Sequence, residues 1–289
     1  MRSSPIRPTT LLGIKSYASD LKKSLGINHN AALQQAAVAA GFQNLAHARA
    51  VLSGAVTGTS VPRHITIITC HWKDRETKNT GTEGLAIELS TQLGDLVTIE
   101  QMKRHPLLSG FFVYDKKQLV GEVMRSSQHS ARHTISQVAR VLQFMDATGL
   151  RPSSSHSRIY PGNTSKNRIP GAAHTRAWFE PATRAFLMTD EPYDEAIERR
   201  MHERAEWAHQ HGYQVLKANW QGMYAPDVGS RLYLVGNAKQ GIDLGKILTT
   251  IDELPEAFRT DNWAGVSLKI SGLVIQEDQL NSPVSAGRG

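Results

Sequence analysis

The chain has 289 residues, enough for about two domains and for a core built without disulfides or metal. Its 40% hydrophobic and 20% charged residues exclude wholesale disorder, and its single cysteine, Cys70, excludes an intrachain disulfide. Lys and Arg outnumber Asp and Glu by 33 to 26, and the resulting charge of +7 is compatible with a polyanionic partner.

In chain order, the first helical spacing is Ile14, Leu21 and Leu25, which predicts a helix over 10–25 capped by Thr9 or Thr10 and stopped by Gly26. Asn28 or Asn30 caps a second helix with Leu33, Ala36, Ala37 and Ala40 on one face, ended by Gly41. Asn44 caps a third, short helix with Leu45, Ala48, Val51 and Leu52 inward. Residues 53–60 are small and uncharged and read as a linker. A strand is expected over 64–70, which would bury Cys70 as a structural thiol, and a helix over 83–93 through Leu85, Leu89 and Leu93. Runs at 110–114 and 118–124 read as a hairpin, and Ser130 opens a helix that closes at Gly149. Residues 177–179 pair with 185–188 around Pro181, and one long helix is expected over 194–211 with Ile197, Met201, Ala205 and Ala208 inward. Strands near 215–220 and 231–235, a helix capped by Asp243, and a strand over 266–275 complete the pattern.

The fold class expected is therefore α+β. A small three-helix module (1–55) precedes a body of antiparallel hairpins with packed helices. The body is divided into α+β domains at 62–150 and 174–275. Residues 151–173 are expected to be a linker or surface loop and 276–289 a disordered tail. No apolar run approaches the ~20 residues of a membrane helix, and residues 1–10 lack a signal-like apolar region, so no membrane partner and a cytoplasmic location are expected.

Three patterns bear on chemistry. Ala37, Gly41 and Phe42 resemble the turn of a helix-turn-helix, but Leu45, Ala48 and Val51 put the third helix's apolar face in another register. The module at 10–52 is thus a candidate docking unit for a protein partner. Second, no acidic residue occurs between Asp146 and Glu180, a stretch carrying Arg151, Arg158, Lys166, Arg168 and Arg176. These five are the candidate nucleic-acid contacts, through phosphates. Third, His174, Asp190, Glu191 and Tyr193 are the candidate acid–base set, while a carboxylate at a strand end equally suits the start of the following helix. Residues 220–226 form an aromatic loop that could stack on a base or lid the core. His129 with His133, and His202 with Glu206, have helical spacing but no third ligand, so no metal or cofactor is expected.

Residues 28–33 and 40–48 (AGFQNLAHA in the latter) resemble a short helical module at the N-terminus of assorted bacterial proteins, some described as glyoxalase-related. Residues 174–179, 190–193 and 220–224 resemble the C-terminal part of a proteobacterial family of unknown function found on plasmids and other mobile elements. The resemblance implies a bacterial cytoplasmic protein and brings no activity; the glyoxalase metal-ligand triad has no placement on this sequence. The leading expectation is a non-enzymatic accessory protein of a mobile element that contacts nucleic acid or a nucleic-acid-bound partner. The alternatives are a hydrolase or nuclease-like toxin using the acid–base set, and an adaptor acting through its N-terminal helices.

Overall fold

The computed structural model describes residues 11–40, 42, 44–45, 47–48 and 63–270. It divides into two compact units, Met1–Pro62 and Arg63–Gly289. The chain is mixed α+β, with eight helices and two sheets among the described residues. None of those helices is long and apolar enough to cross a membrane.

In the first unit, α1 (Leu11–Leu25) and α2 (His29–Ala39) pack through Ile14 and Ala18 against Ala32, Leu33, Ala36 and Ala37. The alanines let the two backbones approach closely. Gly26 adopts a left-handed φ of 65°, the conformation that ends a helix with no side-chain penalty. Asn28 caps α2 by accepting from the Ala31 N–H at 2.8 Å. Ala48 joins this small core, and Asn44 accepts from the His47 N–H at 2.8 Å. The remainder of the expected third helix, the cap at Thr9 or Thr10, Gly41 and the linker at 53–60 lie outside the described residues, as does the tail at 276–289.

In the second unit, β1 (His64–Lys73), β2 (Thr80–Leu89), β3 (Phe111–Asp115), β4 (Gln118–Gly121) and β10 (Val266–Ile270) form one sheet in the order β10-β2-β1-β4-β3. Helix was expected over 83–93, but residues 83–89 belong to β2. The helical spacing of Leu85 and Leu89 coincides with a period-two pattern. Glu83, Leu85, Ile87 and Leu89 all face inward, and β2 pairs with β1 from His64 opposite Leu89 to Lys73 opposite Thr80. Gly81 is dictated by crowding: a β-carbon there would lie 2.6 Å from the Leu268 carbonyl oxygen and 2.7 Å from the Trp72 ring. Two short helices, α3 (Leu93–Leu96) and α4 (Ile99–Arg104), lead to β3.

The long helix α5 (Gln128–Thr148) is the centre of the unit. Ser127, not Ser130, is its cap, and Gly149 ends it in a left-handed conformation. From Ile135 to Met145 it is apolar on most sides, as a helix enclosed by neighbours must be. The buried Glu83 carboxylate fixes its first turns. It accepts from Gln128 Nε2 and Arg132 Nε, both at 2.9 Å, from Trp72 Nε1 at 3.2 Å, and from Ser267 Oγ at 2.6 Å.

The second sheet runs β5-β6-β7-β9-β8, built from β5 (Arg151–Pro152), β6 (Arg176–Phe179), β7 (Phe186–Asp190), β8 (Tyr213–Lys217) and β9 (Tyr233–Asn237). One core cluster joins Ile68, Leu85 and Leu119 of the first sheet to Phe144 of α5 and to Trp178, Leu187 and Leu234 of the second. The stretches 62–150 and 174–275, expected as separate domains, therefore share one core within one unit. Residues 151–173, expected as a linker or surface loop, combine exposed positions with buried ones. Short 3₁₀ turns there bury Ile159, Tyr160 and Ile169 with Ala177, Met188, Tyr233 and Val235 on the other face of the second sheet.

The expected helix at 194–211 is two helices, α6 (Asp194–Glu198) and α7 (Met201–His211). The break at Arg199–Arg200 turns the second away from the register of the first. Ile197 is buried as expected, but Met201 and Ala205 are exposed, and Arg204 and Trp207 are buried in their place. A last helix, α8 (Leu244–Asp252), is capped by Asp243.

Candidate functional site

The polar residues at the end of β7 divide by strand alternation. Asp190 and Glu191 are neighbours, so their side chains leave opposite faces of the second sheet. Asp190 meets α7: Arg204 Nη1 lies 2.8 Å from its Oδ2, with both side chains buried. Its Oδ1 accepts from the Ala173 N–H at 2.8 Å. Arg204 also donates to the Pro170 carbonyl at 3.1 Å and lies over the Tyr233 ring. Burial pushes the Asp190 carboxyl above its ordinary range, with Arg204 opposing.

Glu191 faces the α5 side. Its Oε2 accepts from the backbone N–H groups of Met223 and Tyr224, at 2.7 and 2.8 Å. The same oxygen would be 2.6 Å from a β-carbon on Gly222, whose φ is 92°, so glycine is required there. The carbonyls of the same two residues are held from α5. Arg140 Nε donates to the Met223 oxygen and Nη2 to the Tyr224 oxygen, both at 3.1 Å, and Gln137 Nε2 reaches the Tyr224 oxygen at 2.8 Å. Arg140 Nη1 also donates to the Phe258 carbonyl. Asp252 secures the start of the loop by accepting from the N–H groups of Asn219 and Trp220, at 2.8 and 3.0 Å. Tyr224 is thus presented by a residue pair, Met223–Tyr224, whose N–H and carbonyl groups are each engaged by a side chain.

The Tyr224 ring stacks on His174, with centroids 3.6 Å apart and planes 17° from parallel. Tyr193 meets His174 edge-on at 5.7 Å. His174 has a left-handed φ of 52°, a costly conformation for a residue with a β-carbon. It is held from the preceding residue: Ala173 donates to Asp190, and its carbonyl accepts from the Glu191 N–H at 2.9 Å. Burial, then the charge of Arg176, lowers the His174 pKa. Burial and the neighbouring Tyr193 push the Tyr224 phenol up. His174 and Tyr193 therefore come together, joined by Tyr224. The two carboxylates stand behind them as supports, and the four expected acid–base residues do not converge on one point.

Burial raises the Glu191 carboxyl from an ordinary 4.5 to about 7, opposed by its two N–H donors and by Arg140 and Arg176. The folded chain then holds a proton that the unfolded chain has released between these values. This contribution to stability is full below 4.5 and is lost as pH rises through about 7. Urea unfolding at about pH 5 and about pH 8 should therefore show a gain on acidification that Glu191→Gln lacks, by on the order of 2 kcal/mol.

The five basic residues are placed unequally. Arg158, Lys166 and Arg168 are exposed on the layer covering the second sheet. Arg158 lies over the Phe186 ring and Arg168 over the Tyr160 ring, 5.3 and 5.8 Å from the centroids. Arg151 is partly buried and donates to the Leu150 carbonyl at 3.1 Å. Arg176 is half-buried beside the aromatic cluster and donates to the Thr175 carbonyl at 2.8 Å. Among the described residues none of the five forms an ion pair. His202 pairs with Glu206 at 3.4 Å, and His133 contacts Thr260; no group of three His, Cys, Asp or Glu could hold a metal ion among the described residues. Cys70 is buried, and burial pushes its thiol up to about 11.

Sequence reasoning missed Arg140 and Arg204. Arg140 interrupts the apolar run from Val138 to Met145, and an arginine inside such a run is the one available signal of a buried hydrogen-bonding role. Arg204, seven residues after Ile197 and three after Met201, falls on the face expected to be inward, so an arginine within that stripe was the signal available for it. Compared with models of protein families, with curated proteins and with solved structures, the chain matches none.

Proposed function

We propose that this protein contacts nucleic acid through the phosphate backbone, as a non-enzymatic accessory, in keeping with its resemblance to a mobile-element family. The observation that carries the reading is the set Arg158, Lys166 and Arg168. These are three exposed cations in an acid-free stretch, unpaired with any carboxylate among the described residues, and two of them are braced over aromatic rings. Bracing reduces the side-chain freedom lost on binding, and the lack of an internal partner leaves each charge available to a phosphate. Contacts of this type give affinity with little sequence information.

Filter binding of the full chain to labelled oligonucleotides tests the reading. Binding at low ionic strength that falls steeply as salt is raised is the expected result. No binding at low ionic strength overturns it.

A further inference from the structure

The phosphate reading leaves the His174–Tyr193–Tyr224 cluster without a role. The cluster is partly exposed, lies beside Arg176, and is assembled at a cost. One member has a left-handed backbone, and the loop carrying another is held by Glu191, Arg140 and Gln137. A lid over the core needs neither the strain nor such a loop, because apolar contact alone would hold it. Strain of this kind persists where the surrounding structure over-determines it, and ligand clamps are a common setting. Flat rings held in place beside a cation are what an unpaired nucleobase requires: a face to stack on and a positive charge for the adjoining phosphate. A duplex offers neither of its base faces, because they are stacked on one another.

We infer that His174, Tyr193 and Tyr224, with Arg176, form a stacking site for an unpaired nucleobase, so that the protein prefers single-stranded nucleic acid over duplex. This rests on the phosphate reading of the neighbouring segment. Neither Asp190 nor Glu191 touches the base. Both are positioning residues, the first for Ala173 and His174 and the second for Tyr224.

The test uses the full chain and three fluorescent probes: single-stranded oligothymidylate, an abasic strand of equal length, and a duplex of equal length. The abasic strand keeps the phosphates and removes the faces that would stack. The wild type should bind oligothymidylate roughly 5-fold to 100-fold more tightly than the abasic strand, and more tightly than the duplex. Tyr224→Leu should lose most of that discrimination while its affinity for the abasic strand is unchanged. Tyr224→Phe, which keeps the ring, should retain the discrimination. Equal binding of oligothymidylate and the abasic strand by the wild type overturns the stacking site while leaving the phosphate reading intact. Failure of all three probes to bind overturns both.

Discussion

Arg204→Ala should lower the unfolding free energy by about 3–5 kcal/mol, the usual result of removing one partner of a buried ion pair. The variant strips Asp190 of its guanidinium and leaves a buried carboxylate with the Ala173 N–H as its remaining donor. Burial already raises the Asp190 pKa, and loss of Arg204 raises it further. A raised acid contributes stability at low pH that is lost as pH rises. The destabilisation measured by urea unfolding should therefore be larger at about pH 8 than at about pH 5. The double variant Asp190→Leu/Arg204→Met should be more stable than Arg204→Ala, because no charge is then left uncompensated. A loss below about 1 kcal/mol for the single variant would mean that the pair is solvated.

Arg140→Ala should be comparably damaging, at about 3–5 kcal/mol, for a different reason. This guanidinium is fully buried without a directly bonded carboxylate and is satisfied by the carbonyls of Met223, Tyr224 and Phe258. Its removal orphans acceptors on two segments, each of which costs about 1–3 kcal/mol when buried, and Gln137 can still serve the Tyr224 oxygen. It also takes away a charge that helps hold the Glu191 pKa down, so Glu191 should titrate above about 7 in this variant. Arg140→Lys should recover only part of the loss, since one ammonium cannot reproduce a planar fork that reaches both the 223–224 loop and Phe258. Urea unfolding of the two variants measures both effects.

Much of this architecture was legible locally, and the failures have physical causes. The β3–β4 and β6–β7 hairpins, α5 with its inward residues, and the Asp243 cap all follow from short-range pattern and turn chemistry. The assignment over 83–93 failed because Leu85, Leu89 and Leu93 satisfy a helical period while Leu85, Ile87 and Leu89 satisfy a strand period. Pairing with β1 over ten positions decided between them. The helix at 194–211 failed at a two-residue break, which exchanged the expected buried residues Met201 and Ala205 for Arg204 and Trp207.

At the candidate site, sequence could name His174 and Tyr193 and note an aromatic loop at 220–226. It could not say that Glu191 reaches 32 and 33 residues along the chain to seat Tyr224 against His174. The meaning of Asp190 was equally hidden, because its partner Arg204 lies on a separate helix beyond the break at Arg199–Arg200. Long-range side-chain to backbone bonds leave no periodic trace, so the support of the cluster could be seen only once the chain was folded.

The central claim is that Arg158, Lys166 and Arg168 meet phosphates, and the salt dependence of binding tests it most directly. The slope of log K against log salt should be measured on single-stranded oligothymidylate for the wild type and for Arg158→Ala/Lys166→Ala/Arg168→Ala. Each lost contact with a single strand removes about 0.7 from the slope, so the triple variant should bind more weakly with a slope shallower by about 2. An unchanged slope, or the absence of wild-type binding at low salt, would contradict the account.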